Sequence, residues 1–445
     1  MKINNLKYLE IVTLVLLIML MVFSRSLTGL YLFGFRLGEL IIGFGIFLSI
    51  FMVFNFFINK KNKHKLLNKY YLVLLMLFLL SLFVNRGDLN SLYSFKSSSY
   101  IWTVSFIFLG IYLSNVLQNK NLQYIIVSIP VVIYILGTIH YPIFLQNFFI
   151  NNSDKFEFQK ASDLLIAVLI SLLVAKTTLL SKKNYIYYLC SLIGLFIPLF
   201  LFMSKGSLLA FIFYCMFEIV LNINFLKKNI KLVFFGLIIS SMFFSFSTLN
   251  IWGDFSFSKP QNLFGLLDDS SELTISDKFA DLYKTKALDF EHPDKLLYIV
   301  DGRIYSNDVT SNWRLQIWQD VIEDLIKKNK ILFGYGYNEI IPAMDDVERR
   351  GTDGTNENVH NYFINILARG GLVQVLFFMF FYIKIINKYF SNQEKLYAIQ
   401  FVISVLLVSF FDSSMESVRF PLIFYFFSGC FLHQNIKNRN TYNGL

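Results

Sequence analysis

Long apolar runs separated by short polar segments recur along most of this 445-residue chain. A helix needs about 20 apolar residues to cross the hydrocarbon core of a bilayer, with a usual range of about 17 to 25. Twelve runs come near that length, so each is predicted to be a transmembrane helix. They are Tyr8–Phe23, Leu37–Ile58, Tyr70–Val84, Tyr100–Leu117, Tyr124–His140, Ala161–Leu180, Tyr185–Met203, Ser207–Leu226, Lys231–Leu249, Tyr362–Ile383, Leu396–Phe411 and Val418–His433.

The longest polar interruption covers the 109 residues 250–358. It holds 20 of the 30 acidic residues but 12 of the 40 Lys and Arg, so its net charge is −8 and that of the remainder is +18. The pattern predicts an all-α polytopic membrane protein in three parts. These are an N-terminal bundle of about nine helices over residues 1–249, a loop with short helices over residues 250–358, and about three helices over residues 359–445.

Lys and Arg in the short connections predict the orientation. If the N-terminus is cytoplasmic and the twelve helices alternate, all the basic clusters fall on the cytoplasmic side and the acidic loop falls on the other. Those clusters are Lys60, Lys61, Lys63, Lys65, Lys69, Lys120, Lys182, Lys183, Lys227, Lys228, Lys231, Lys384, Lys388, Lys395, Lys437 and Arg439. The C-terminus is therefore also predicted to be cytoplasmic. The basic excess reflects contact with the lipid bilayer, and no nucleic acid is expected as a partner.

Composition agrees, since 55% hydrophobic and 18% aromatic residues exceed the range of soluble domains. The three cysteines lie inside apolar runs and are predicted to be small buried hydrophobes. Glu218, two-thirds along its run, is predicted to make a structural ion pair. Lys176, near the end of its run, is expected to reach the membrane surface by snorkelling.

Three polar features on the predicted outer side carry candidate chemistry. The first is Ser204-Lys205-Gly206-Ser207, which separates two apolar runs. A tight turn explains Gly206. Lys205 either anchors the helix end at the headgroups or points at a lipid phosphate.

The second feature is an amphipathic helix predicted over residues 312–330, with Trp318, Val321 and Leu325 on one face. With Ser311 or Asn312 as its N-cap, Arg314 falls in the first turn. There its guanidinium fork and the free backbone N–H groups can bind a phosphate. A solvated surface arginine is the alternative.

The third feature is His360-Asn361-Tyr362-Phe363, where the chain returns to the membrane. A histidine can accept a proton near neutral pH, or donate hydrogen bonds to phosphate when charged. Arg369 lies deeper than snorkelling explains, which indicates a polar cavity or an anionic partner.

In this order the features resemble the O-antigen polymerase and ligase superfamily, the Wzy and WaaL type of membrane glycosyltransferases. Ser204-Lys205-Gly206 resembles a Ser-Arg-Gly turn of that family, with Lys in place of Arg, so charge is kept but bidentate geometry is lost. Arg369 stands where members often carry an acidic or polar residue. The further matches are Trp313-Arg314-Leu315 with Trp318, Gly334-Tyr335-Gly336, and His360-Asn361 followed by Gly371-Leu372.

The resemblance implies that a glycan linked to undecaprenyl pyrophosphate is transferred to an acceptor sugar on the outer face of the bacterial cytoplasmic membrane. It implies an inverting reaction without metal or cofactor, and a chain-length regulator as a further partner. The residues expected to be catalytic are His360, Arg314 and Lys205. Those expected to bind substrate are Arg303, Arg369, Asn361 and Tyr335.

Pyrophosphate is a good leaving group, so the reaction mainly needs cations to stabilise its growing charge. Lys205 and Arg314 can supply them. For the base that takes the acceptor proton two hypotheses remain open. Either His360 is the base, or His360 binds the pyrophosphate and an acidic residue of the loop is the base.

We predict a polymerase of O-antigen or capsule repeat units. The alternative is an O-antigen ligase that moves finished polymer to a lipid A core or a protein. A flippase for lipid-linked oligosaccharides is disfavoured, because its outer loops are expected to be short.

Overall fold

The structure is a computed structural model that describes residues 2–58, 65–88, 91–114, 119–156, 160–252, 297–350, 357–389 and 392–442. Within these residues eight helices are long and apolar enough to cross a membrane. In an element numbering of chain order they are α1 (Lys2–Thr28), α2 (Leu37–Ile58), α3 (Lys65–Val84), α7 (Lys120–Thr138), α10 (Lys182–Met203), α11 (Lys205–Lys228), α12 (Ile230–Trp252) and α14 (Tyr362–Tyr389).

Helices with shorter apolar stretches lie at the other predicted spans. They are α5 (Ser99–Trp102) and α6 (Phe106–Tyr112), joined by a 3₁₀ turn, then α9 (Ala161–Val174), α15 (Asn392–Phe411) and α16 (Arg419–Tyr442). The all-helical membrane class is therefore confirmed. The number of twelve crossings, the three-part division and the cytoplasmic position of both termini stay predictions, and several of the lysines at 59–64 lie outside the described residues.

The remaining elements are short and lie in the connections. The strands are β1 (Tyr31–Leu32), β2 (Phe35–Arg36), β3 (Leu297–Val300) and β4 (Arg303–Ser306), which form two antiparallel hairpins. The helices are α4 (Leu92–Ser97), α8 (Ile143–Asn152) and α13 (Val309–Lys327).

The first helix extends past its predicted end at Phe23, because the polar residues that follow find partners inside the bundle. Ser24 has a left-handed φ of +46°, which kinks the helix. Its hydroxyl donates a 2.6 Å hydrogen bond to the Asp163 carboxylate at the start of α9. A buried polar group costs little when it is bonded in this way.

Glu218 of α11 is fully buried and forms an ion pair with Lys176 at 2.6 Å. The Asn222 and Gln400 amides also donate to this carboxylate. The structural pairing predicted for Glu218 is confirmed. The snorkelling predicted for Lys176 is wrong, because the ammonium is buried against Glu218 and the Tyr397 ring.

Helices α6 and α16 pack at close range through glycines. A Cβ at Gly110 would collide with the Phe426 carbonyl, and one at Gly429 would collide with the Ile107 carbonyl. Small residues let helix backbones approach in this way inside membranes. The Cys430 thiol fills the adjacent space and donates to the Gly110 carbonyl at 3.2 Å, so Cys430 is the small buried residue that the sequence predicts.

The amphipathic helix predicted before the last spans is confirmed as α13, although it begins and ends three residues earlier. Its buried face carries Ile317, Val321 and Leu325. Together with Ile341 and Met344 these residues form a small hydrophobic core separate from that of the main bundle. This core holds the described part of the loop against α14.

The Gly-Tyr-Gly loop packs against a break in α14. Gly371 has a φ of +72°, which kinks the helix. Leu372 N–H then donates to the Ile331 carbonyl at 2.8 Å, and Gly336 N–H donates to the Arg369 carbonyl at 3.0 Å. The kink thereby fixes the position of Arg369 relative to the loop.

We expect Gly371→Ala to destabilise this region, because a side chain at that φ is strained and its Cβ would collide with the Leu332 backbone. The strain alone costs about 1 to 3 kcal/mol. The control is Gly43→Ala on α2, where a Cβ would meet nothing within 4 Å. Thermal unfolding of the detergent-solubilised variants checks this, and equal unfolding temperatures for the two would contradict it.

Candidate functional site

A cavity of about 300 Å³ opens where the described loop meets the ends of the helices. Seven cationic side chains line it, against three carboxylic acids, Glu39, Glu357 and Glu416. The cations are Arg25, Arg36, Lys96, Lys155, Lys160, Arg369 and Arg419. We call this space the basic cavity.

The excess of positive charge in the basic cavity affects the pKa of Lys155. Burial, followed by the nearby charges of Arg36 and Arg25, lowers the pKa of this ammonium. An anion that entered the cavity would relieve this repulsion, so the lining suits a phosphate or pyrophosphate group.

Arg419 is held at one wall of the basic cavity by a buried ion pair. Its Nε lies 2.7 Å from the Asp163 carboxylate and also donates to the Ser24 hydroxyl at 3.0 Å. Both charged side chains are less than a tenth exposed. Opposite charges at the ends of two apolar runs were the sequence signal for this pair, and the sequence analysis missed it.

Asp412 connects the basic cavity to a second cluster. Its carboxylate lies 3.6 Å from the Lys160 ammonium and accepts a 2.7 Å hydrogen bond from Ser162. Burial alone would raise the pKa of Asp412, but Lys160, Ser162, His360 and Arg314 outweigh it and lower this pKa to about 2. Asp412 is therefore ionised at neutral pH. Its negative charge interacts with Lys160 of the basic cavity and with Arg314 of the second cluster.

His360 is a member of this second cluster. It lies two residues before the start of α14 and has a φ of +53°, a strained backbone conformation for a residue other than glycine. Its imidazole is nearly buried, and its centroid lies 4.9 Å from that of a Trp313 ring. Burial, and then the charge of Arg314, lower the pKa of His360 to about 4.

A pKa of about 4 leaves the His360 imidazole neutral near pH 7. It can then accept a proton or donate a hydrogen bond, but its basicity is weak. Of the two roles predicted for His360, this low basicity is more compatible with a hydrogen bond to the substrate than with general-base catalysis.

Arg314 lies one turn further along α13 than the sequence predicted. The helix begins at Val309, and the N-cap is Asp308, whose carboxylate accepts from the Ser311 N–H at 2.9 Å. The predicted N-cap at Ser311 or Asn312 is wrong, and so is the placement of Arg314 in the first turn. The helix dipole acts mainly within that turn, so it contributes little at Arg314.

A hydrogen bond places the Arg314 guanidinium beside Asp412. Its Nη1 donates to the carbonyl of Phe411, the residue before Asp412. Burial lowers the pKa of Arg314, and Asp412 and Asp308 partly oppose this effect. The half-buried Arg314 guanidinium next to His360 is a candidate to bind an anion.

Lys205 connects α11 to α13. Its ammonium lies 2.6 Å from the Asp308 carboxylate. Burial alone would raise the pKa of Asp308, but hydrogen bonds from Lys205 and Ser311 lower it. The predicted tight turn is not the reason for Gly206, which has no left-handed φ and lies where a Cβ would come 2.7 Å from the Cβ of Phe411.

The other predicted substrate-binding residues are placed as follows. Arg303 of β4 pairs with Asp320 at 2.6 Å. Tyr335 donates to the Asp324 carboxylate at 2.5 Å. Asn361 caps α14, since its side-chain carbonyl accepts from the N–H groups of Phe363 and Ile364.

Arg369 is the one sequence-predicted site residue that lines the basic cavity as the structure describes it. Its guanidinium is buried, donates to the carbonyls of Gly336 and Glu339, and lies 3.1 Å from the Tyr93 hydroxyl. The polar cavity predicted around Arg369 is therefore present.

The family described as O-Antigen ligase matches residues 189–379. This match supports the resemblance to the O-antigen polymerase and ligase superfamily. No curated protein and no solved structure matches the chain.

All seven sequence-predicted site residues lie inside the segment that matches the superfamily. Lys160, Asp412, Glu416 and Arg419 lie outside it, although Lys160, Glu416 and Arg419 line the basic cavity and Asp412 borders it. Motifs of the superfamily thus locate one part of the site, and the helix ends elsewhere in the chain complete it.

The low pKa of His360 predicts acid-dependent stability. An unfolded histidine binds a proton below about pH 6.5, but folded His360 does so only below about pH 4. Unfolding therefore takes up a proton between these values, and stability falls as the pH falls through this window, by about 3 kcal/mol in all.

Thermal unfolding of wild-type and His360→Gln protein from about pH 7 to pH 4 measures this effect. We expect a shallower pH dependence in His360→Gln, whereas the control His140→Gln, at an exposed position, follows the wild type. Parallel curves for wild type and His360→Gln would count against the pKa shift.

Proposed function

We propose that this protein is a membrane glycosyltransferase that polymerises lipid-linked glycan repeat units. It transfers a glycan from polyprenyl pyrophosphate to an acceptor sugar on the side of the membrane that carries the loop. The observation that carries the proposal is the basic cavity beside His360 and Arg314, within a chain whose residues 189–379 match the superfamily.

The chemistry of the donor fits this lining. When the bond between the anomeric carbon and the phosphate oxygen breaks, the electron pair leaves with the pyrophosphate. Cations preorganised in a cavity of low dielectric stabilise that charge without reorganisation during the reaction. In the proposal, three cations stabilise the charge on the leaving pyrophosphate. They are Arg369 and Lys160 in the basic cavity and Arg314 on the other side of Asp412.

His360 and Lys205 have supporting roles in the proposal. The neutral imidazole of His360 donates a hydrogen bond to the pyrophosphate. Lys205 holds the N-terminus of α13 through Asp308 and so positions Arg314.

The described contacts of three further residues support roles in positioning the site. Asn361 sets the start of α14 next to His360. Tyr335 and Arg303 hold the loop segments against α13 through Asp324 and Asp320. In the proposal these contacts keep the Gly-Tyr-Gly loop and β4 in place around the substrate.

The second candidate function is that of a ligase, favoured by the description of the matching family. A deletion strain separates the two by the polysaccharide it accumulates. Loss of a polymerase leaves single repeat units on the final acceptor, whereas loss of a ligase leaves long polymer on the lipid carrier. We expect single repeat units, and lipid-linked polymer would assign the ligase function instead.

Complementation of that strain tests the site. We expect His360→Ala and Arg314→Ala to abolish chain extension at normal membrane levels of the protein, because each removes a group that contacts the pyrophosphate. The control is Lys327→Ala, an exposed lysine whose described partner is Glu323 on the same helix. Wild-type polymer lengths from either site variant would refute these roles.

A further inference from the structure

Glu416 is a buried carboxylic acid in the wall of the basic cavity. It lies in the short 3₁₀ turn Ser414–Glu416 between α15 and α16. Both side-chain oxygens are buried, and neither has a hydrogen-bond partner among the residues that the structure describes. A buried carboxyl group without a partner is costly, so its retention calls for an explanation.

The backbone of Glu416 is held by hydrogen bonds, whereas its side chain makes none to the described residues. The Ser99 hydroxyl donates to the Glu416 carbonyl at 3.0 Å, and the Glu416 N–H donates to the Ser413 carbonyl. The turn thus holds the carboxyl group in the cavity wall, with the hydrogen-bonding capacity of both oxygens unused by the described residues.

The charged groups around Glu416 come from several elements. Asp412 directly follows the end of α15, Arg369 lies on α14, and Lys160 lies at the start of α9. Burial, more than any of these charges, raises the pKa of Glu416 to about 8. Arg369 and Lys160 oppose the rise, and Asp412 adds to it.

The other titratable groups that line the cavity complete this environment. Tyr93 and Lys96 come from α4, Glu357 from the segment before α14, and Arg419 from the start of α16. Arg25 lies near the end of α1, Arg36 in β2 and Glu39 in the first turn of α2, and Lys155 lies in the connection before α9.

We propose that Glu416 is the general base that takes the proton from the acceptor hydroxyl. This inference rests on the proposed function. The acceptor O–H bond breaks and its proton passes to a Glu416 oxygen while the acceptor oxygen forms a bond to the anomeric carbon. The bond from that carbon to the phosphate oxygen breaks, and the electron pair leaves with the pyrophosphate. The proton is released from Glu416 to water after the product leaves.

Glu416 suits this task better than His360 does. A general base works best when its pKa lies near the working pH. The carboxyl group, with a pKa of about 8, is closer to that condition than the imidazole, with a pKa of about 4. The base then comes from the turn before α16 and not from the acidic loop.

The test uses full-length protein in lipid nanodiscs and lipid-linked repeat units extracted from the deletion strain. Glu416→Gln keeps the size and hydrogen bonding of the side chain but cannot accept a proton. We expect its kcat to fall roughly 100- to 10,000-fold with little change in KM. Glu416→Asp keeps a carboxyl group and retains more activity than Glu416→Gln.

The matched control is Asp301→Asn, a carboxyl-to-amide change at an exposed hairpin tip far along the chain from the cavity lining. Asp301 has a φ of +50°, which asparagine also adopts, so this variant is expected to keep wild-type kcat.

The pH profile gives an independent readout. We expect wild-type kcat/KM to rise tenfold per pH unit up to about pH 8 and then level off, as the free carboxyl group ionises. This rise disappears from the residual activity of Glu416→Gln. If Glu416→Gln does not accumulate, the wild-type profile decides, and a profile that is flat below pH 8 overturns the inference.

The outcomes also separate this inference from the proposed function. If the wild type does not extend the extracted repeat units, the proposed function fails. If it extends them and Glu416→Gln matches it in kcat and pH profile, the function stands and the role of Glu416 is refuted.

Discussion

The candidate site depends on the shared carboxylate of Asp412. On one side this group holds Lys160 at the wall of the basic cavity, and on the other its charge acts on His360 and Arg314. A carboxylate that is largely withdrawn from water needs charged or hydrogen-bonding partners, and Lys160 and Ser162 supply them to Asp412. Asp412 therefore couples the position of α9 to that of α13 and α14, so the two clusters of cations form together.

The same constraint explains why the helix ends on this side are polar and yet buried. The ion pair between Asp163 and Arg419, with Ser24, joins α1, α9 and α16. The kink at Gly371 lets the Gly-Tyr-Gly loop dock on α14 and fixes Arg369. Each contact brings a cation toward the basic cavity and supplies it with a partner. The site is thus preorganised by contacts that also hold the bundle together, which suits stabilisation of a leaving pyrophosphate.

Several cations do not follow the positive-inside pattern, and the structure places them together. Arg25, Arg36, Lys96, Lys155 and Lys160 lie in connections predicted to be on the outer side, where the rule expects few cations. Although they are scattered over more than 130 residues of sequence, all five line one cavity. Cations that depart from the orientation rule were therefore a sequence signal for the candidate site.

The sequence by itself determined the membrane class, most helix positions and the amphipathic α13, and its motifs indicated the superfamily whose model matches residues 189–379. It could do so because hydrophobic length, helical periodicity and motif spacing are local properties of the chain. It also located His360, Arg314 and Arg369. The tertiary structure decided that Asp308 caps α13, that Lys176 pairs with Glu218, and that Asp412 and Glu416 face the site. Those outcomes depend on which distant helix ends meet and on how far each charge is desolvated, and neither is written in the local pattern.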